Sequence, residues 1–262
     1  MNTVNKKIYL FANWKMYLDY AESVALASAL AETVGPVPEH VVMAVFPSAL
    51  ALTAVAEKFS GSAVKVGAQN TYWVSRGGYT GEISANMCQA VGCEYVLVGH
   101  SERRHVFGET NHEVRQKIEA ALAAGLAPVV CVGETMGERQ AGQTRAVLEV
   151  QLRSAFEDLD WPAGRPLIVA YEPVWAISKG LSHNEVGIPC TISDAEAANR
   201  HIVQCVESLI PAATAAVLYG GSVRENTARD YLASPHVNGI LVGAASTTLE
   251  SWHGIVLAAK TL

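Results

Sequence analysis

Eight short apolar runs punctuate the chain: "KIYLFAN" (7–13), "VVMAVF" (41–46), "AVKVGA" (63–68), "EYVLVG" (94–99), "APVVCVG" (127–133), "PLIVAYE" (166–172), "AAVLYGG" (215–221) and "GILVGA" (239–244). They are rich in Val, Ile and Leu and show little polar alternation, the pattern of strands buried on both faces of a parallel sheet. Between them the period lengthens to that of amphipathic helices, over 19–34, 110–125, 144–159 and 193–210. The first of these stops at Gly35-Pro36, and the second opens on a capping box from Thr110 to Glu113 and ends at Gly125. Eight strands alternating with about eight helices imply right-handed βα crossovers. Within 262 residues they predict one α/β domain over 1–262, a closed (β/α)8 barrel of eight parallel strands ringed by helices. A doubly wound open sheet is the alternative, weakened because no Gly-x-Gly-x-x-Gly follows the first strand.

Composition narrows the partners. The chain is 50% hydrophobic and 17% charged, with a net charge of −6 and no basic cluster. This argues against nucleic acid or an anionic membrane surface. No apolar run reaches membrane-spanning length, and the N-terminus lacks the pattern of a signal peptide, so a cytoplasmic setting is expected. Five scattered cysteines fit a reduced compartment and no zinc-ligand spacing, so no metal is expected.

In a barrel of this kind the chemistry sits where strands end and βα loops begin. Those ends carry Asn13 and Lys15, His100 to Arg103, Cys131 and Glu134, Glu172, Gly220 to Ser222, and Gly243-Ala244. Glu172, with Val174 and Trp175 expected as its walls, is a candidate base. His100 can donate a hydrogen bond to a carbonyl oxygen, and Lys15 supplies positive charge for an anion. The glycines after strands seven and eight let backbone N–H groups approach a phosphate. Together these describe proton abstraction beside a carbonyl on a small phosphorylated sugar. Taken singly each has a plainer reading: half of an ion pair for Glu172, a structural histidine for His100, a buried structural pair for Glu102 and Arg103. Convergence on one rim favours the functional reading.

The strings "ANWKM" (12–16), "GAQN" (67–70), "YTGEIS" (79–84), "VGHSERR" (98–104), "CVGE" (131–134), "AYEPVWAI" (170–177), "YGGSV" (219–223) and "LVGAAS" (241–246) resemble, in order and over nearly the whole chain, the triosephosphate isomerase family. The resemblance implies interconversion of dihydroxyacetone phosphate and glyceraldehyde 3-phosphate, without a cofactor, in glycolysis and gluconeogenesis. That family is itself the standard illustration of a carboxylate base paired with a neutral imidazole. By motif, Glu172 corresponds to the base and His100 to the electrophile, kept neutral by the helix N-terminus that follows. Asn13 and Lys15 correspond to the substrate-binding pair, and Ser222, Gly243 and Ala244 to the phosphate cradle. Glu102 would orient Lys15 and Ser101.

Two stretches depart from the family pattern. The segment after Glu172 resembles the lid over the substrate, but "ISKGLSHNEVGIPCT" is longer than the usual tip. Its phosphate-binding glycine is Gly180 counting forward from Glu172, or Gly187 counting back from Thr191, and Ile188-Pro189-Cys190 would form the second hinge. Ala244 stands where the family usually has glycine, a position that would suffer if it required φ > 0. Residues 69–82 resemble the loop that inserts into a second subunit, with Tyr79 exposed there and Thr80 approaching Asn13 of the partner subunit; a symmetric homodimer is expected. The competing readings are an isomerase for a four-carbon sugar phosphate and a barrel that binds phosphorylated ligands without turnover. A barrel aldolase would need a lysine inside the barrel, for which only Lys65 offers itself.

Overall fold

The computed structural model describes residues 6–177 and 189–262. Eight strands close into an all-parallel barrel: β1 (Ile8–Asn13), β2 (Val41–Phe46), β3 (Val64–Ala68), β4 (Tyr95–Val98), β5 (Ala127–Val132), β6 (Leu167–Tyr171), β7 (Ala215–Tyr219) and β8 (Gly239–Val242). Each pairs with the next, and β8 returns to β1 through Tyr9↔Gly239 to Ala12↔Val242. All eight fall within the apolar runs read from the sequence. An open sheet is thereby excluded.

The helices among the described residues are α1 (Tyr20–Thr33), α2 (Leu52–Lys58), α3 (Ala85–Ala90), α4 (Ser101–Val106), α5 (Asn111–Ala123), α6 (Met136–Gln140), α7 (Thr144–Phe156), α8 (Ile192–Leu209), α9 (Glu225–Ala233) and α10 (Leu249–Lys260). Asp19 caps α1 and Thr110 caps α5, each answered by a glutamate three residues on, Glu22 and Glu113. The helix expected to run to 159 stops at Phe156, because Glu157 turns extended and Asp158 takes a positive φ of 55°. The two extra helices, α4 and α6, have six and five residues, too short to show a helical period in sequence.

Strand alternation divides the core in two. Tyr9, Phe11, Phe46, Leu97, Ile168 and Leu218 pack together in one buried cluster, while Leu10, Val45, Val96 and Val169 join the larger cluster shared with the helices. The first set fills the barrel and the second seals it to the outer ring, each large side chain contributing about 1.5–3 kcal/mol. Phe11 anchors the interior, edge-on to Phe46 at 5.5 Å and tilted on Tyr95 at 5.0 Å between ring centroids. The same alternation aims the site. The parity of Tyr9 and Phe11 continues to Asn13, and that of Ile168 and Ala170 continues to Glu172. Lys65 sits at the opposite end of the barrel wall, half-exposed and paired with Glu94 at 2.8 Å, which removes the aldolase reading.

Candidate active site

Glu172 follows β6 directly, its N–H donating to the Val132 carbonyl at 2.7 Å. Its side chain is only 2% exposed, so its charge must be matched by donors. The Ser101 N–H donates to Oε2 at 2.7 Å, and Nε2 of His100 stands 3.1 Å from Oε1. Space for this carboxylate comes from Gly220, where a Cβ would lie 2.8 Å from Glu172 Cγ. The Gly220 N–H is spent on the Tyr171 carbonyl at 2.7 Å, so this glycine makes room for the base and offers its N–H to β6. Cys131 lies close by, its thiol held protonated by full burial and then by the Glu172 charge.

The expected walls of Glu172 turn elsewhere. Trp175 Nε1 donates to Glu134 Oε1 at 2.8 Å, the Tyr171 hydroxyl reaches both oxygens of Glu134 at 3.1 Å, and the Val174 N–H reaches its carbonyl. Glu134, fully buried at the end of β5, thus clasps the first turn of the chain beyond Glu172. Arg139 covers the Trp175 ring at 4.2 Å and binds Asp194 at 3.0 Å, linking that turn to the start of α8.

His100 caps α4 with its own ring: Nδ1 accepts from the Glu102 N–H at 3.2 Å. A backbone N–H can only donate, so Nδ1 carries no proton and Nε2 does. The imidazole is therefore neutral, with its Nε2–H on the side of Glu172 and of the cavity that both line.

Lys15 adopts a positive φ of 49°, one of two non-glycine residues to do so among the described residues. Such a conformation costs about 1–3 kcal/mol and persists only when its surroundings impose it. They do: the Asn13 carboxamide accepts from the Lys15 N–H at 3.0 Å, and Gln69 donates to the Lys15 carbonyl at 2.8 Å. The ammonium ends 2.7 Å from Glu102 Oε1. Gly243 completes the fit, since a Cβ there would stand 3.2 Å from Lys15 Cε. The expected pairing of Glu102 with Arg103 does not form. Consecutive helical residues do not face each other, and Arg103 reaches Glu109 instead, at 2.7 Å. Ser101 is likewise held by Glu172, not by Glu102.

Asn13, Lys15, His100 and Glu172 line one cavity of about 180 Å³, together with Ser222, Gly243 and Ala244. The Ser222 N–H and hydroxyl both donate to the Ala176 carbonyl, at 3.0 and 2.8 Å. Ala244 opens a short 3-10 turn and is not among the positive-φ residues, so alanine is unstrained there. Gly180, Gly187 and Ile188 lie outside the described residues. Tyr17, Ile177, Leu241 and Arg224 also line the cavity and were not foreseen. For Arg224 a signal existed, its place directly after "YGGSV". Tyr79 and Thr80 are exposed on the 69–84 loop, where the Tyr72 ring lies tilted against those of Trp73 and Tyr79. No group of three or more His, Cys, Asp or Glu residues suited to a metal gathers among the described residues.

A closed parallel barrel carrying a carboxylate, a neutral imidazole and an ammonium at its carboxyl end defines a (β/α)8 enzyme of acid–base type. Residues 8–259 match the family model described as triosephosphate isomerase. The chain is 37% identical over 261 residues to a triosephosphate isomerase of Rhodopirellula baltica, covering 98% of this chain and 100% of that one. It is 41% identical over 250 residues to that of Herpetosiphon aurantiacus (94% and 97% covered) and 39% over 247 residues to that of Aquifex aeolicus (94% and 96%). The chain belongs to the triosephosphate isomerase family.

Proposed function

We propose that this TIM barrel interconverts dihydroxyacetone phosphate and D-glyceraldehyde 3-phosphate, serving glycolysis and gluconeogenesis in the cytoplasm, with Glu172, His100 and Lys15 as its catalytic groups. What carries the assignment of roles is the meeting of a buried carboxylate and a neutral imidazole 3.1 Å apart, on the cavity that Lys15 also lines. Substrate enters between them. Its carbonyl oxygen takes the Nε2–H of His100, and its adjacent carbon faces Glu172. The carboxylate removes the proton from that carbon. The C–H electrons form the enediolate double bond, and the carbonyl π electrons move onto oxygen. The developing oxyanion is stabilised by His100 and by the Lys15 ammonium. The substrate hydroxyl proton passes to the new oxyanion through Nε2 of His100, which gives up one proton and takes the other, and Glu172 returns its proton to the former carbonyl carbon as the second oxygen becomes the carbonyl. No redox partner is needed, since one carbon is oxidised as its neighbour is reduced. Asn13 holds Lys15 and borders the substrate, while Ser222, Gly243 and Ala244 receive the phosphate.

Steady-state turnover of glyceraldehyde 3-phosphate tests this. Rapid turnover is expected, with a four-carbon ketose phosphate converted more slowly because the cavity is small. Faster turnover of the four-carbon compound would overturn the substrate assignment. Phosphate-analogue binding without turnover would overturn the enzymatic one.

The same reading makes the chain a homodimer. Met16, Leu50, Tyr79, Ile83 and Met87 are exposed apolar residues, an arrangement that supports a covered face. Tyr79 and Thr80 lie on the loop that would enter the second subunit. Sedimentation is expected to give twice the 27.9 kDa chain mass. A monomer at micromolar concentration would exclude this assembly.

A further inference from the structure

The fixed charges at the catalytic end do not by themselves suit a phosphate dianion. Lys15 is already matched by Glu102 at 2.7 Å, His100 is neutral, and Glu172 adds one buried negative charge. Those four groups sum to −1, in a chain of net charge −6. A dianion entering such a site draws on the backbone N–H groups of the cradle, and a further cation facing it adds long-range attraction. Arg224 is that cation. It lines the catalytic cavity two residues beyond Ser222, and among the described residues its guanidinium takes part in no ion pair. It also borders the neighbouring groove between α9 and α10, which Arg229 lines as well. Arg224 therefore stands where the cavity meets the approach from solvent, on the side of Ser222 and Ala244. The carboxylate next to it in sequence does not neutralise it. Glu225 is lodged against Gly254 of α10, where a Cβ would fall 2.3 Å from the carboxyl carbon.

We propose that Arg224 is a substrate-phosphate residue: a guanidinium outside every ion pair of the described residues, at the cavity rim, that attracts the dianion and grips it. This rests on the isomerase reading, because it takes the ligand to be a small phosphate monoester. A guanidinium suits the task, since its fork of N–H donors matches phosphate oxygens. It reads the phosphate in ground and transition states alike, so its contribution falls on KM and on salt dependence, with little on kcat.

The test compares wild type, Arg224→Gln and Arg224→Lys in two measurements. One is turnover of glyceraldehyde 3-phosphate at several ionic strengths. The other is direct titration of each protein with inorganic phosphate. For Arg224→Gln, KM and the phosphate Kd are expected to rise together, by about five- to tenfold at low salt, with kcat within twofold and a shallower salt dependence. Arg224→Lys should recover most of the loss. Unchanged KM and phosphate Kd in the Gln variant would overturn the proposal, as would a fall in kcat with phosphate affinity intact, which marks a structural role. Failure of the wild type to turn over triose phosphates would instead strike the isomerase reading, and the phosphate titration would still decide Arg224.

Discussion

Replacing Glu172 by Gln is expected to lower kcat by about 10²–10⁴-fold, the span associated with loss of a positioned general base. The barrel should stay folded, for reasons visible around the side chain. Glutamine keeps the volume left open at Gly220. The buried carboxylate accepts the Ser101 N–H through Oε2 and faces His100 Nε2 across 3.1 Å with Oε1, whereas a glutamine places an oxygen opposite only one of them. One donor then faces an amide NH2, at a cost of about 1–3 kcal/mol. Against this, the variant removes a charge from a site that is 2% exposed, which recovers desolvation energy. The two effects oppose, so thermal unfolding should move by only a few degrees while activity collapses. Glu172→Asp separates position from chemistry. It keeps the base but withdraws it by one methylene, and a misplacement of about 1 Å costs on the order of 10²-fold. Gln falling no further than Asp would mean that Glu172 is not the base. Steady-state rates with calorimetry on all three proteins decide it.

The strands were legible because both of their faces are buried, which writes an uninterrupted apolar run into the sequence. Asn13 and Glu172 were legible as site residues because a polar group at the end of such a run, on the inward parity, has nowhere to point but the barrel mouth. The partners of these groups were less so. Trp175 finds Glu134 only because β5 and β6 are neighbours in the barrel, a contact between residues 41 positions apart that no local spacing encodes. Arg103 finds Glu109 across the turn between α4 and α5, so the expectation that it pairs with Glu102 rested on adjacency alone. The positive φ of Lys15 is likewise silent in sequence, since lysine carries no signal for that conformation. The motif at Ala244 raised a concern over φ that the backbone answers, because a 3-10 turn begins there.

Lys15→Met carries the second large effect, an expected fall in kcat/KM of roughly 10³-fold. The ammonium does two things at once: it meets the anionic substrate, and it stabilises oxyanion charge as the proton leaves carbon. Loss of a single preorganised donor to a developing oxyanion costs about 10²–10³-fold, and loss of ground-state attraction to a dianion adds to it. Both kcat and KM should therefore suffer, unlike the KM-dominated effect expected at Arg224. Stability should change little. Methionine has nearly the length of the lysine stem, so the contact with Gly243 survives. The Glu102 side chain left behind is 45% exposed and can be solvated, so loss of its ion pair costs no more than about 1 kcal/mol. The backbone strain at position 15 is the same for either side chain, because Asn13 and Gln69 impose it through main-chain atoms. Lys15→Gly inverts that balance. It removes the ammonium and also the Cβ that makes a positive φ costly, so it should be as inactive as Lys15→Met and yet more stable than it. An inactive protein that melts higher than Lys15→Met would show that strain at this residue is maintained for the sake of the ammonium. Equal melting temperatures for the two variants would show that it is not.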